Sequence, residues 1–89
     1  MKLVKETQKI WGVSGDELAV TATCIRVPVM RAHAESINLE FEKELSEEEA
    51  VKVLEKAAGV KLINDRSNNR FPTPLDASNN DDVFVGRIR

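Results

Sequence analysis

The sequence predicts an α+β fold in which helices pack on one face of a mainly antiparallel sheet. Two segments show helical periodicity, several short segments are rich in β-branched residues, and one segment alternates between apolar and polar residues. Such alternation is typical of an antiparallel strand with one face in water. Since no linker or repeat interrupts these segments, we expect residues 1–89 to form a single domain.

The first segment predicts a helix over residues 2–11. One side of this helix carries residues at helical spacing, namely Leu3, Thr7, Ile10 and Trp11. Gly12 is expected to end the helix, as a glycine after the last periodic residue commonly does. No N-cap residue precedes the helix at Met1, and we therefore expect the chain to be part of a longer protein.

Two strands are predicted next. Residues 18–27 are rich in β-branched side chains, and Pro28, which has no backbone N–H to donate, is expected to end this strand. Residues 37–41 alternate, so the side expected to face the core carries Ile37, Leu39 and Phe41.

The clearest helical pattern runs from Ser46 to Gly59. Ser46 and Glu49 have the spacing of a capping box, and Gly59 is expected to end the helix. Its buried stripe is expected to consist of Ala50, Val53, Leu54 and Ala57.

Two short strands are predicted at residues 60–64 and 82–89, with a bulge at Gly86. Residues 65–82 between them are polar and contain two prolines, which predicts a loop without regular structure. Loops of this length in compact domains are often functional or interfacial.

The composition excludes several classes of protein. The chain has 13 basic and 15 acidic residues, so we expect no general binding of nucleic acid. It has no apolar run long enough to span a membrane, and its charged beginning is unlike a signal peptide. One cysteine allows no internal disulfide, and one cysteine with one histidine is too few for a zinc site. We expect a cytoplasmic protein.

Arg26 and His33 flank the break in the apolar pattern at Pro28. A histidine gains and loses a proton near neutral pH, which suits acid–base catalysis, although an ordinary histidine at a strand end has the same pattern. Arg26 could grip a carboxylate or phosphate with both guanidinium nitrogens, or it could form an ion pair at the sheet edge. Spacing alone leaves both alternatives open.

Cys24 could act as a nucleophile, since cysteine and histidine form a known catalytic pair. We favour a structural role. A free cysteine usually behaves as a small buried hydrophobe, and Cys24 lies in the middle of a predicted strand, away from any helix N-terminus that would activate it.

Four segments occur in a specific order: "KETQKIW", "TATCIRVPVMRAHAESINLEFEKELSEEEA", "NDRSNNRFPTPLDA" and "DDVFVGRIR". Together they resemble the C-terminal catalytic domain of the aspartate-β-semialdehyde dehydrogenases, over essentially all 89 residues. The resemblance implies a domain like that of glyceraldehyde-3-phosphate dehydrogenase, which binds substrate and forms a homo-oligomer, either a dimer or a tetramer. It also implies NADP-dependent reduction of β-aspartyl phosphate to aspartate semialdehyde, with release of phosphate, for lysine, methionine and threonine biosynthesis.

The resemblance further implies roles for three residues. The arginine matching Arg26 holds the substrate carboxylate, and the histidine matching His33 is the acid–base partner of a catalytic cysteine. Lys2 matches a lysine that contacts the departing phosphate, although the glutamate that precedes this lysine by three residues in the family has no counterpart here.

Other parts of the family's site have no counterpart in the sequence. The nucleophilic cysteine of the family lies upstream in an Asn-Cys context, and Cys24 matches a different, non-catalytic cysteine. The glycine-rich dinucleotide-binding domain is also absent, so we expect NADP to be bound mainly elsewhere and this segment alone to be inactive. The alternative is a small non-enzymatic α+β module that binds a partner protein through residues 70–80 or an open sheet edge.

Overall fold

A computed structural model describes residues 2–89. The elements, in chain order, are α1 (Lys2–Trp11), α2 (Glu47–Lys56), β1 (Val60–Leu62), α3 (Pro74–Ala77) and β2 (Val83–Val85). Helices and strands occur together, so the predicted α+β class is confirmed. Among the described residues, no helix is both long and apolar enough to cross a bilayer.

Helix α1 has the bounds that the sequence predicts, and it ends at Gly12 as expected. Gly12 has a φ of 67°, and the amides of Gly12 and Val13 donate to carbonyls of the last turn at 3.3 and 3.0 Å. These two bonds form a Schellman motif, which satisfies carbonyls at the end of a helix. The side that carries the periodic residues is largely in solvent, since Ile10 is 78% and Trp11 is 67% exposed.

Helix α2 begins with the predicted capping box. The Glu49 amide donates to Ser46 Oγ at 3.2 Å, and the Ser46 amide donates to Glu49 Oε2 at 3.0 Å. The helix ends at Lys56, earlier than expected, and Gly59 follows with a φ of 74°.

The half-buried side of α2 differs by one residue from the predicted stripe. Its half-buried side chains include Ala50, Val51, Leu54 and Ala57. Val53, expected in the stripe, is 64% exposed. Helix α2 packs against the short strand β1, which is too narrow to cover the whole apolar side of the helix.

Strands β1 and β2 pair in parallel, with Val60 opposite Val83 and Leu62 opposite Val85. Both strands are shorter than predicted. Gly86 lies just after β2 and outside the ladder, so the predicted bulge there is wrong.

Parallel neighbours need a crossover connection, and residues 63–82 supply it. The sequence predicts no regular element in this loop, but it contains the short helix α3, which packs against β2. A second capping box, formed by Thr73 and Asp76, begins α3, and Pro74 occupies its first turn. The prediction failed because this turn is too short to show apolar periodicity.

The predicted sheet is wrong in two respects. The sheet formed by the described residues has two parallel strands and is not mainly antiparallel. Neither 18–27 nor 37–41 forms a strand, and the alternating residues Ile37, Leu39 and Phe41 are 68%, 67% and 56% exposed. Alternation marks a segment suited to pairing, but a strand forms only where another segment supplies the complementary backbone groups.

The described residues enclose no core of their own, since no hydrophobic side chain among them is buried. The accessible surface is 8478 Å², whereas a folded monomer of this mass exposes about 5,200 Å². The radius of gyration is 14.9 Å, against about 12 Å for a compact domain of this length. A large apolar surface therefore remains free to pack against other parts of a protein.

Candidate functional site

Two turns separate Arg26 from His33. In the first turn the Val29 amide donates to the Val27 carbonyl at 2.9 Å, which closes a three-residue turn around Pro28. The break that the sequence predicts at Pro28 is therefore a change in chain direction.

The second turn lies at residues 30–31 and extends to Ala32, which has a φ of 69°. This left-handed conformation is uncommon for a residue with a β-carbon, and it costs about 1–2 kcal/mol. His33 follows directly, so this turn sets the position of the His33 backbone.

The three predicted site residues are all exposed. Arg26 and His33 lie on either side of the turns, and Lys2 is the first residue of α1. Within the described part of the chain, no ion pair or side-chain hydrogen bond joins these three to one another.

Basic groups are concentrated in the segment that carries the turns, and Glu17 and Glu35 lie just outside it. Residues 18–34 contain Arg26, Arg31 and His33 but no aspartate or glutamate. A stretch with basic groups and no carboxylate attracts anions and repels none. The basic groups of this segment favour an anionic ligand over a cationic one.

Cys24 is exposed, and the strand expected to bury it is not formed. The expectation of a buried thiol within a sheet is therefore wrong for the structure, because no neighbouring strand covers the segment. Among residues 2–89, no three His, Cys, Asp or Glu side chains are grouped so that they could hold a metal ion.

The turn before His33 is tied to a distant part of the chain. Arg31 Nη1 donates to Asn79 Oδ1 at 3.1 Å, across 48 positions of sequence. A small cavity of about 170 Å³ lies beside this bond, between residues 29–31 and the α3 region. Its apolar lining includes Met30 and Leu75. No sequence pattern points to Arg31 or Asn79, since spacing does not relate residues so far apart.

Helix α3 and its flanks form a closely bonded turn. The Thr73 hydroxyl donates to Asp76 Oδ2 at 2.7 Å, and the Thr73 amide donates to the same oxygen at 2.9 Å. Both bonds hold the pKa of Asp76 below its usual range, and the bond from the Thr73 hydroxyl has the larger effect. At the other end, Ser78 Oγ donates to the Pro74 carbonyl at 2.8 Å.

A second cleft, of about 360 Å³, is lined in part by Arg66, Arg70, Arg87 and Arg89. Arg66 Nη2 donates to Glu47 Oε1 at 2.5 Å and to the Ile88 carbonyl at 2.6 Å. The Arg87 guanidinium lies 5.1 Å from the centre of the Phe71 ring. These contacts tie the residues after β2 to the start of α2 and to the crossover, which gives Arg66 and Arg87 a structural role.

Comparison with known proteins identifies the class of protein to which the chain belongs. Residues 1–89 match the family described as "Semialdehyde dehydrogenase, dimerisation domain", and the chain belongs to this family. The match extends over the whole chain, including the turns that carry Arg26 and His33.

Three relatives of known name match the chain over its full length. A protein of Prochlorococcus marinus named aspartate-semialdehyde dehydrogenase is 56% identical over 100% of this chain, which is 25% of the relative. Proteins of the same name from Synechocystis sp. and Bacillus subtilis are 52% and 42% identical, again over 100% of this chain and 26% and 25% of the relatives. The chain thus spans about a quarter of their length. No solved structure matches the chain significantly.

Proposed function

We propose that residues 1–89 are part of the substrate-binding and dimerisation domain of an aspartate-semialdehyde dehydrogenase. The whole enzyme would use NADPH to reduce β-aspartyl phosphate to aspartate semialdehyde, with release of phosphate. The observation that carries this proposal is the 56% identity over the full chain to a relative of that name. Family membership favours the enzyme over the non-enzymatic interaction module.

Arg26 would hold the substrate carboxylate in this enzyme. A guanidinium group offers two parallel N–H donors that match the two oxygens of a carboxylate. The exposure of Arg26, and the lack of an ion pair between Arg26 and any other described residue, support this role because the guanidinium is open to a substrate.

His33 would serve as acid and base for a cysteine supplied by another part of the enzyme. The imidazole takes the proton of the thiol as the sulfur attacks the acyl carbon, and phosphate then leaves as the thioester forms. Lys2 would stabilise the departing phosphate through its positive charge. The position of His33 directly after the turn at Ala32 supports this role because the turn sets the backbone from which the imidazole projects.

The residues of this chain do not fit a dinucleotide. Pyrophosphate binds best where a glycine-rich turn leads from a strand into a helix N-terminus. Helix α2 has a capped N-terminus, but its first turn carries Glu47, Glu48 and Glu49, which repel phosphate. The crossover after β1 leads into α3, which has only four residues. We therefore place the NADP site outside residues 1–89 and assign no step of hydride transfer to them.

The enzyme would be a homo-oligomer, a dimer or a tetramer. Its family is named for dimerisation, and Ile25, Ile37 and Leu39 leave apolar surface available for a second copy. Burial of exposed apolar surface is the main driving force for such association. A single cysteine suits the reducing cytoplasm, where we expect the enzyme to work.

A hybrid enzyme tests the proposal. In this hybrid, residues 1–89 replace the matching quarter of the Prochlorococcus marinus relative. We expect NADPH formation that requires aspartate semialdehyde, NADP and phosphate together, which is the proposed reaction in reverse. The unaltered relative is the positive control. A hybrid that folds and assembles but forms no NADPH would refute the proposed function.

A further inference from the structure

We propose that Arg31 and Asn79 form a clamp that fixes the turn carrying His33, and that both are positioning residues for the reaction. This inference rests on the proposed function, since it concerns the orientation of the proposed acid–base residue. It assigns a role to two residues that the sequence motifs leave without one.

The Arg31–Asn79 hydrogen bond connects residues 12–45 to residues 46–89. Among the side-chain hydrogen bonds of the described residues, the Arg31–Asn79 bond alone joins residues 12–45 to residues 46–89. The segment 12–45 has no strand or helix to hold it in place. A small cavity lies beside the bond, between residues 29–31 and the α3 region.

The acceptor side of the clamp is preorganised. Asn79 has a φ of 61°, a conformation that asparagine adopts more readily than most residues. The residue after it, Asn80, donates from Nδ2 to the Asp76 carbonyl and to the Ser78 carbonyl, both at 3.1 Å. Pro74 fixes the backbone at the start of α3. Asn79 Oδ1 is therefore presented from a turn with little freedom.

The donor side of the clamp needs to be held. Ala32 is in the left-handed conformation, and such a residue stays there only where its surroundings determine it. Arg31 precedes Ala32 and His33 follows it, so a bond from Arg31 acts within two residues of the imidazole. Two residues of chain span at most about 7 Å, so Arg31 and His33 lie close together. A misplacement of about 1 Å in a reacting group can reduce the rate about a hundredfold.

Asn79→Gly in the hybrid enzyme tests the clamp. Glycine accepts the positive φ at this position, so the variant removes the hydrogen-bond acceptor and keeps the backbone conformation. We expect kcat to fall about tenfold to a hundredfold, with a smaller change in KM for aspartate semialdehyde. The His33-dependent limb of the kcat–pH profile should also move, which a general loss of stability would not produce.

Asn79→Asp is the matched control, because it keeps an acceptor oxygen for Arg31. We expect it to retain kcat within about threefold of the hybrid enzyme. Arg31→Met removes the donor without changing α3, and it decides the question if Asn79→Gly fails to fold. If the clamp exists, the double variant Arg31→Met/Asn79→Gly is no slower than the slower single variant.

Two results would overturn the clamp. One is an Asn79→Gly variant, or an Arg31→Met variant where the first does not fold, with an unchanged kcat and pH profile. The other is strictly additive effects in the double variant, since additivity means that the two residues do not act together. Failure of the proposed function is a separate outcome, because it shows as an inactive hybrid enzyme before either residue is changed.

Discussion

The α-carbon of Gly86 lies against the carbonyl of Ile63, at the end of the parallel strand pair. A β-carbon at this position would overlap the carbonyl oxygen and would lie 2.5 Å from Pro72 Cδ. The Ile63 amide also donates to the Val85 carbonyl at 2.8 Å, so the backbone of Ile63 cannot move away without loss of that bond. Gly86 thus allows the close approach of the two chain segments.

Gly86→Ala is therefore expected to destabilise the fold by at least about 1–3 kcal/mol, which is the usual cost of overpacking. The loss can exceed this range because the new β-carbon clashes with backbone atoms. Chemical denaturation of the hybrid enzyme measures the change. Gly15→Ala is the matched control, since its new β-carbon meets only Gln8 Nε2 at 3.5 Å. Equal stability of the two variants would show that Gly86 has room for a side chain.

Ser46→Ala removes the side-chain acceptor of the α2 capping box. We expect a loss of about 0.5–2 kcal/mol in the free energy of unfolding, the typical cost of an N-cap serine. Ser46→Asp should restore most of it, because aspartate is an equally good N-cap. Denaturation midpoints of the three proteins provide the comparison, and a destabilised Ser46→Asp variant would argue that the capping bond is not the cause.

Arg26→Lys keeps the positive charge but loses the two-pronged geometry of the guanidinium. If Arg26 holds the substrate carboxylate, kcat/KM for aspartate semialdehyde in the hybrid enzyme should fall about tenfold to a hundredfold. The Michaelis constant for NADP should change little, since the NADP site is placed outside this segment. An unchanged kcat/KM would exclude Arg26 from the substrate site.

His33→Asn keeps a side chain of similar size that cannot take up a proton near neutral pH. We expect turnover of the hybrid enzyme to fall by about 10²–10⁴, the usual contribution of a positioned acid–base group.

Cys24→Ser is the contrasting variant and should keep most of the turnover if Cys24 is not the nucleophile. Circular dichroism must first show both variants folded. An active His33→Asn enzyme would contradict the proposed mechanism, and a folded but inactive Cys24→Ser enzyme would contradict the residue roles.

Asp65 makes stability depend on pH. Asn68 donates to Asp65 through its side chain at 2.6 Å and its backbone at 3.1 Å, and these bonds lower the pKa of Asp65 from its ordinary value of 3.8. A depressed pKa in the folded state means that the stabilisation is present above the ordinary value and is lost as pH falls through the lower, folded-state value.

Asn68→Ala should therefore lower the melting temperature of the hybrid enzyme at neutral pH, and the difference should shrink at pH values below 3.8. Ser67→Ala is the control. Ser67 also bonds to Asp65, but through its backbone, so the substitution leaves that bond in place. A difference that stays constant from neutral to acidic pH would show that Asp65 is not its source.

Local features of this protein could be predicted from the sequence because they depend on contacts within a single turn. Ser46 and Glu49 are three positions apart, and their reciprocal bonds involve no residue outside the first turn of the helix. The end of α1 at Gly12 has the same origin, since a glycine accepts the positive φ that closes a helix. Similarity over the full chain likewise identifies the family without reference to any contact.

Tertiary structure alone decided which segments pair and which residues meet. The alternation at Ile37, Leu39 and Phe41 marks a segment suited to a sheet, but the backbone partners came together at β1 and β2, in parallel. Arg31 and Asn79 are joined across 48 positions, a distance over which sequence spacing carries no geometric information. The β1–β2 pair and the Arg31–Asn79 bond both depend on the free energy of bringing distant segments together. That free energy is determined by the whole fold and not by any local pattern.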